Sequence, residues 1–187
     1  MDNKNIKSNN RKIIRLDKYN YSENGAYFIT ICTHHKKNIF GYVNDSLMVY
    51  NEYGRIALSE IELTNIKRKD KGIQITKFVV MPNHIHMILE IVGTRRAVSE
   101  KNYNAFSKTI PNSVSEIVGA YKSAVTKQIH RFQGGHGTPC PYGIDKTEKV
   151  WQSRFYDHII RNQTDYEHIW NYIDTNPLKW ELDEYYI

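Results

Sequence analysis

The chain has 187 residues, 40% of them hydrophobic and 25% charged, which suits one folded domain with a continuous core. Its longest apolar run is far below the roughly 18–20 residues a membrane span needs, and its N-terminus has no apolar segment of the secretory kind. A net charge of +6 and a pI near 9.1 favour a polyanionic partner, and the two cysteines make no disulfide framework, so a cytoplasmic setting is expected.

In chain order, residues 1–20 form a basic, asparagine-rich arm, and residues 21–187 read as a single domain. Ala26 to Thr33 (AYFITICT) is rich in β-branched and aromatic residues and predicts a strand. A short hairpin follows, turning at Asn44-Asp45-Ser46. Ile56, Ala57, Ile61 and Leu63 then fit an amphipathic helix whose last turn carries Lys67, Arg68 and Lys69. GIQITKFVVMPN and HIHMILEIV predict two antiparallel strands broken at Met81-Pro82-Asn83.

Thr94 to Asn112 is polar and predicts a loop. After it, Ser113 and Glu116 make a capping-box pair, and Val114, Ile117, Val118, Tyr121, Val125, Ile129 and Phe132 recur at helical spacing. QGGHGTPCPYGIDKTE is a turn-rich linker, VWQSRFYDHIIR a fourth main strand. A last helix is expected to open on a Thr164/Glu167 capping box and to stop at Pro177. With the hairpin and last helix set aside, the order β-α-β-β-α-β predicts an α+β, ferredoxin-like split βαβ antiparallel sheet with two helices on one face.

The segment VVMPNHIHMILEI raises the chemical question. Side chains of a strand alternate, so His84 and His86 point one way while Ile85, Met87, Leu89 and Ile91 point the other. The apolar side is a core face. Two imidazoles about 7 Å apart at the backbone can converge on one ion on the opposite, helix-free face; they also fit half-exposed strand histidines bonded to neighbours. In the last helix Tyr166, Ile169, Trp170 and Ile173 form the apolar stripe, and Tyr172 lies about 110° from its centre. Asn176 follows one turn along that flank, where its amide oxygen could complete a metal site. A tyrosine beside a divalent ion suggests covalent phosphoryl transfer, because a phenol is a poor nucleophile until activated and a metal can polarise the scissile phosphate. The plainer readings are a flank tyrosine covering the sheet and an asparagine ending a helix.

Basic residues that could position phosphates are Lys36 and Lys37 after the first strand, Lys122, Lys127 and Arg131 on the central helix, and Arg154 and Arg161 around the fourth strand. Tyr27, Phe28, Trp151, Phe155 and Tyr156 could stack on unpaired bases or fill the core. Cys140 has no sequence-level partner. His34-His35 is set aside as a second metal pair because neighbours on a strand face opposite ways. His158 fits either a substrate contact or a carboxylate pair.

YFITICT, VVMPNHIHMILEI and VWQSRFYDHIIRNQTDYEHIWNYIDTNPLKW, taken together, resemble the REP-associated tyrosine transposases, single-tyrosine HUH transposases of the insertion-sequence type. The resemblance runs from about Arg15 to Leu182. It implies an HUH endonuclease domain acting on single-stranded DNA, with hairpin-forming repeat DNA as the partner. It further implies His84 and His86 as the metal pair, Asn176 as third ligand, Tyr172 as nucleophile, and Mg or Mn as cofactor. The implied reaction cuts a strand to a 3′-hydroxyl and a 5′-phosphotyrosine and can rejoin it; the implied assembly is a monomer or homodimer with no membrane partner. A different class remains open, a non-catalytic single-stranded nucleic-acid-binding module on an RRM-like sheet, which needs exposed aromatics on the histidine face. A water-using metal hydrolase, with no role for Tyr172, is a third reading.

Overall fold

A computed structural model describes residues 24–93, 110–135 and 148–187. The N-terminal arm, most of the Thr94–Asn112 loop, and Cys140 with most of its linker lie outside the described residues. The elements are β1 (Gly25–Cys32), β2 (Gly41–Asn44), β3 (Leu47–Tyr50), α1 (Glu52–Arg68), β4 (Ile73–Val80), β5 (His84–Ile91), α2 (Val114–Gly135), β6 (Tyr156–Ile160) and α3 (Gln163–Thr175).

The main sheet has the order β4-β5-β1-β6, with every neighbouring pair antiparallel. Counted without the hairpin, this is the split βαβ arrangement expected from the element order. β2 and β3 form the separate hairpin, joined by Asp45 (φ 48°) and Ser46 (φ 61°) in the left-handed conformation that two-residue hairpin turns require.

One face of the sheet is the hydrophobic core. Tyr27, Ile29 and Ile31 of β1 and Ile85, Met87 and Leu89 of β5 are buried there with Ala57 and Ile61 of α1 and Ile117, Val125 and Ile129 of α2. A bidentate Arg68–Glu116 pair, 2.8 Å on each arm, ties α1 to α2, and Tyr121 donates to the Ala57 carbonyl at 2.9 Å. The alternation of β5 is thus resolved as the pattern requires, with the odd-numbered apolar residues inward.

α3 covers the other face. Its Asn162 cap accepts from the Asp165 amide at 2.8 Å, so the helix begins two residues before the expected Thr164 box. Asparagine with its short amide closes the turn, and Glu167 bonds to Gln163 instead. Tyr166 reaches the Thr76 hydroxyl, at the irregularity in β4, and the Glu90 carboxylate. Lys77 pairs with Asp174 and lies 4.6 Å from the Trp170 ring.

The fourth strand is shorter than the expected Val150–Arg161 run. Trp151 makes only an isolated bridge to Thr33, and ladder pairing starts at Tyr156. The reason is packing: Trp151 is buried in the core and donates to the Lys122 carbonyl, while the Lys122 ammonium holds the Gln152 and Arg154 carbonyls. Val150 and Gln152 still bond to the backbone of His34 and Cys32, and regular pairing with β1 lapses beyond them, where Lys122 takes the Gln152 and Arg154 carbonyls.

Candidate metal and nucleophile site

β5 places His84 and His86 on the α3 face, opposite Cys32 and Thr30 of β1. Their rings lie 4.4 Å apart between centroids, and both residues are buried. Burial, with Lys36 adding a smaller effect, lowers the His84 pKa to about 3. Burial and then His84 hold His86 well below the ordinary histidine value. Both imidazoles are therefore neutral at pH 7, the form that binds metals.

The surrounding hydrogen bonds set which nitrogen is available. Asn83 donates its amide to the Lys36 and Tyr185 carbonyls, leaving its Oδ1 to accept from His84 Nδ1 at 2.9 Å. The His84 Nε2 lone pair is then free, and it is buried without a partner among the described residues. His86 Nδ1 meets the Thr30 hydroxyl at 2.9 Å, and its Nε2 meets the Tyr172 hydroxyl at 3.1 Å.

α3 and the segment after it bring the remaining groups. Tyr172 is 39% exposed, off the apolar stripe as its angular position predicts, with its ring 5.1 Å from that of His86. Asn176 is buried. Its Nδ2 donates to Asp183 at 2.7 Å, while its Oδ1 has no partner among the described residues. The short helical turns of Pro177–Leu182 double the chain back, so that Asp183 also accepts from Tyr172 at 3.4 Å. Ligand atoms of His84, His86 and Asp183 fall within 4.8 Å of one another. Two imidazole nitrogens, a carboxylate and an orphaned amide oxygen form a donor set that suits a divalent cation.

Tyr172 carries a raised pKa, chiefly through burial and then through the negative charge of Asp183. Its hydroxyl is thus held protonated at neutral pH. Tyr185 and Trp180 close the site from the C-terminal side, their rings 4.5 and 5.9 Å from His84.

The basic residues separate by position. Lys36 reaches the site, bonding the Glu184 carbonyl and lying 4.9 Å from the Tyr185 ring. Lys37 pairs with Glu148. Lys122 is engaged with backbone carbonyls, and Lys127 is exposed on α2, across the sheet from the histidines. Arg154 and Arg161 are exposed on either side of β6. His158 pairs with Asp165 at 2.9 Å, so it takes the carboxylate-pair role. Tyr27 and Trp151 are core, whereas Phe28 stacks on His86 at 5.2 Å and Tyr156, 42% exposed, meets its edge at 6.3 Å.

Sequence reasoning passed over Asp183 and Asn83. Asn83 sits beside the first histidine, where an amide able to orient an imidazole is a readable signal. Asp183 offers none, since it lies beyond Pro177, where the regular helix has ended and helical spacing no longer says which side chains share a face.

No family model matches the chain. It is 33% identical over 178 residues to an uncharacterised protein of Haemophilus influenzae, covering 95% of this chain and 93% of that one. The two belong to one family. The chain is also 23% identical over 159 residues to the REP-associated tyrosine transposase of Escherichia coli K12, covering 85% of this chain and 70% of that protein. Its fold is similar to that of a solved REP-associated tyrosine transposase bound to a REP hairpin, with a TM-score of 0.51 and 19% identity over 91% of this chain and 76% of that one. Among the described residues no helix is long and apolar enough to cross a membrane.

Proposed function

We propose that this family member is a metal-dependent tyrosine transposase that cleaves and rejoins single-stranded DNA. The observation that carries the reading is the Tyr172 hydroxyl, 3.1 Å from His86 Nε2 on the edge of a buried donor cluster. A phenol placed there has a nucleophile's position, and a purely structural site does not call for two buried acceptors without partners.

His84, His86 and Asn176 are the proposed metal-holding residues, with Mg or Mn as the ion. A divalent cation would supply Lewis-acid polarisation of the phosphate and offset the Asp183 charge that adds to burial in raising the tyrosine pKa. Tyr172 Oη gives its proton to the Asp183 carboxylate that accepts from it and attacks phosphorus, the P–O3′ bond breaks, and the departing oxygen takes up a proton to become a 3′-hydroxyl. The product keeps the 5′-phosphate esterified to Tyr172, and attack by another 3′-hydroxyl reverses the step without nucleotide hydrolysis. Likeness to a REP-associated tyrosine transposase supports DNA as the substrate, and the REP hairpin of the structural neighbour supports hairpin-forming repeat DNA. The RRM-like binding module fits less well, because α3 covers the sheet face it would use.

The test is a denaturing gel of protein incubated with a labelled single-stranded hairpin from the gene's own flanks, with Mn or Mg and then with EDTA. A metal-dependent covalent adduct, lost in Tyr172→Phe, is expected. Cleavage that survives Tyr172→Phe without an adduct would replace this mechanism with hydrolysis by water.

A further inference from the structure

The adjacent histidines His34 and His35 stand outside the metal cluster. They lie not on a strand but on a short helical turn, His34–Lys36, immediately after β1. Their rings are 3.9 Å apart, so the alternation that would have separated them does not apply. His35 (φ 56°) and Lys36 (φ 54°) are both left-handed, a conformation that is unfavourable for non-glycine residues and gathers at functional positions.

This turn forms one wall of a cavity of about 330 Å³. The other wall is the 149–153 segment, with Lys149, Trp151, Gln152 and Ser153. Among the described residues the lining contains no carboxylate, and the nearby Glu148 is already paired with Lys37 at 2.7 Å. Two imidazoles, an ammonium, an amide and a hydroxyl all offer hydrogen-bond donors, and the ammonium argues against a cation. Desolvation, then the neighbouring His35 and Lys149, hold the His34 imidazole below its ordinary value, with Glu148 acting in the opposite direction.

The cavity is coupled to the metal site by backbone. His34 donates to the Val150 carbonyl at 2.9 Å, joining the two walls. The Lys36 carbonyl accepts from Asn83, whose Oδ1 orients His84, and Thr33 bonds the Asn83 carbonyl at 2.9 Å. A group held in the cavity therefore has a fixed position relative to His84.

The geometry points to this cavity as a second phosphate site, which holds the backbone of the nucleic-acid strand whose scissile bond lies at Tyr172. The inference rests on single-stranded DNA being the substrate. Its specific content is that His34, His35 and Lys149 grip phosphate rather than metal or base.

The test uses full-length protein, a fluorescein-labelled dT12 strand and EDTA, so that binding is read without cleavage. Association is measured between roughly 50 and 200 mM salt for wild type, His34→Ala/Lys149→Ala and Lys149→Arg. The double variant is expected to bind about tenfold more weakly, with the slope of log K against log salt reduced by about 0.7 for each phosphate no longer neutralised. Lys149→Arg should keep both. A second readout needs no substitution: carbethoxylation of histidines by diethylpyrocarbonate, mapped by mass spectrometry, should be suppressed at His34 and His35 by dT12. Unchanged slope and unprotected histidines, in a protein that binds dT12 and forms the tyrosine adduct, overturn this inference alone. Equal protection by inorganic phosphate at the same phosphate concentration makes the cavity an isolated anion site and overturns the strand assignment. Failure of wild type to bind any single strand or form an adduct overturns the DNA reading itself. Should the double variant not fold, as judged by circular dichroism, the protection pattern decides.

Discussion

The two faces of the main sheet are both buried, yet they are built on opposite terms. On the α1/α2 face, Ile85, Met87 and Leu89 of β5 sit in the apolar core and contribute by leaving water. On the α3 face the same strand buries His84 and His86 beside Thr30 and Asn176, and two of the acceptors there have no partner among the described residues. Burying polar groups without partners costs stability, so the second face carries a cost that the apolar face does not. One strand thus carries apolar core residues on its odd positions and the two buried histidines on its even ones.

Substitutions can break this division. The largest effect is expected from Tyr172→Phe, which should reduce covalent adduct by at least about 10³-fold while leaving manganese binding in place. Quantified adduct and calorimetry on the same preparation check it; loss of metal binding as well would mean the hydroxyl is a ligand and not a nucleophile. Asn83→Ala removes the group that orients His84 from behind, and metal affinity should fall about 10–100-fold with the fold retained. Equal affinity in that variant would show that the orientation of His84 is set elsewhere.

On the core face the expectation reverses. Ile85→Ala should cost about 2–5 kcal/mol in denaturant unfolding through the cavity it leaves. A loss of metal binding greater than the loss of stability would contradict the separation of faces.

The histidine face should also make stability depend on pH. The His84 pKa is lowered to about 3 in the folded protein, so between about 3 and the ordinary value of 6.5 the unfolded chain binds the extra proton. Stability should then rise with pH through that window and fall on acidification, at up to about 1.4 kcal/mol per pH unit for each such histidine. Urea midpoints at pH 5 and 7 read this, and His84→Gln should flatten the difference. The smallest effect belongs to the Asn162 cap, far from the chemistry. Asn162→Ala should cost about 1 kcal/mol in the same unfolding assay.

Local pattern and tertiary assembly divided the molecule between them. Alternation along VVMPNHIHMILEI was enough to put His84 and His86 on one face, because a strand's period of two is a property of the backbone. Helical spacing likewise set Tyr172 on the flank of α3 and Asn176 one turn on, for the same reason at a period of 3.6. The order of elements led to the sheet, since the split βαβ arrangement follows from few connections.

Periodicity could not find what non-local packing decides. The truncation of the fourth strand depends on Trp151 and Lys122, which are 29 residues apart in sequence. His34 and His35 share a side only because the chain leaves β1 in a left-handed turn, which no alternation rule foresees. Asp183 reaches the cluster only because the chain doubles back after Pro177. Sequence by itself determined which side chains share a face, because that follows from the bonded backbone. Tertiary structure alone decided which faces and segments meet, because that depends on interactions made across the chain after the elements have formed.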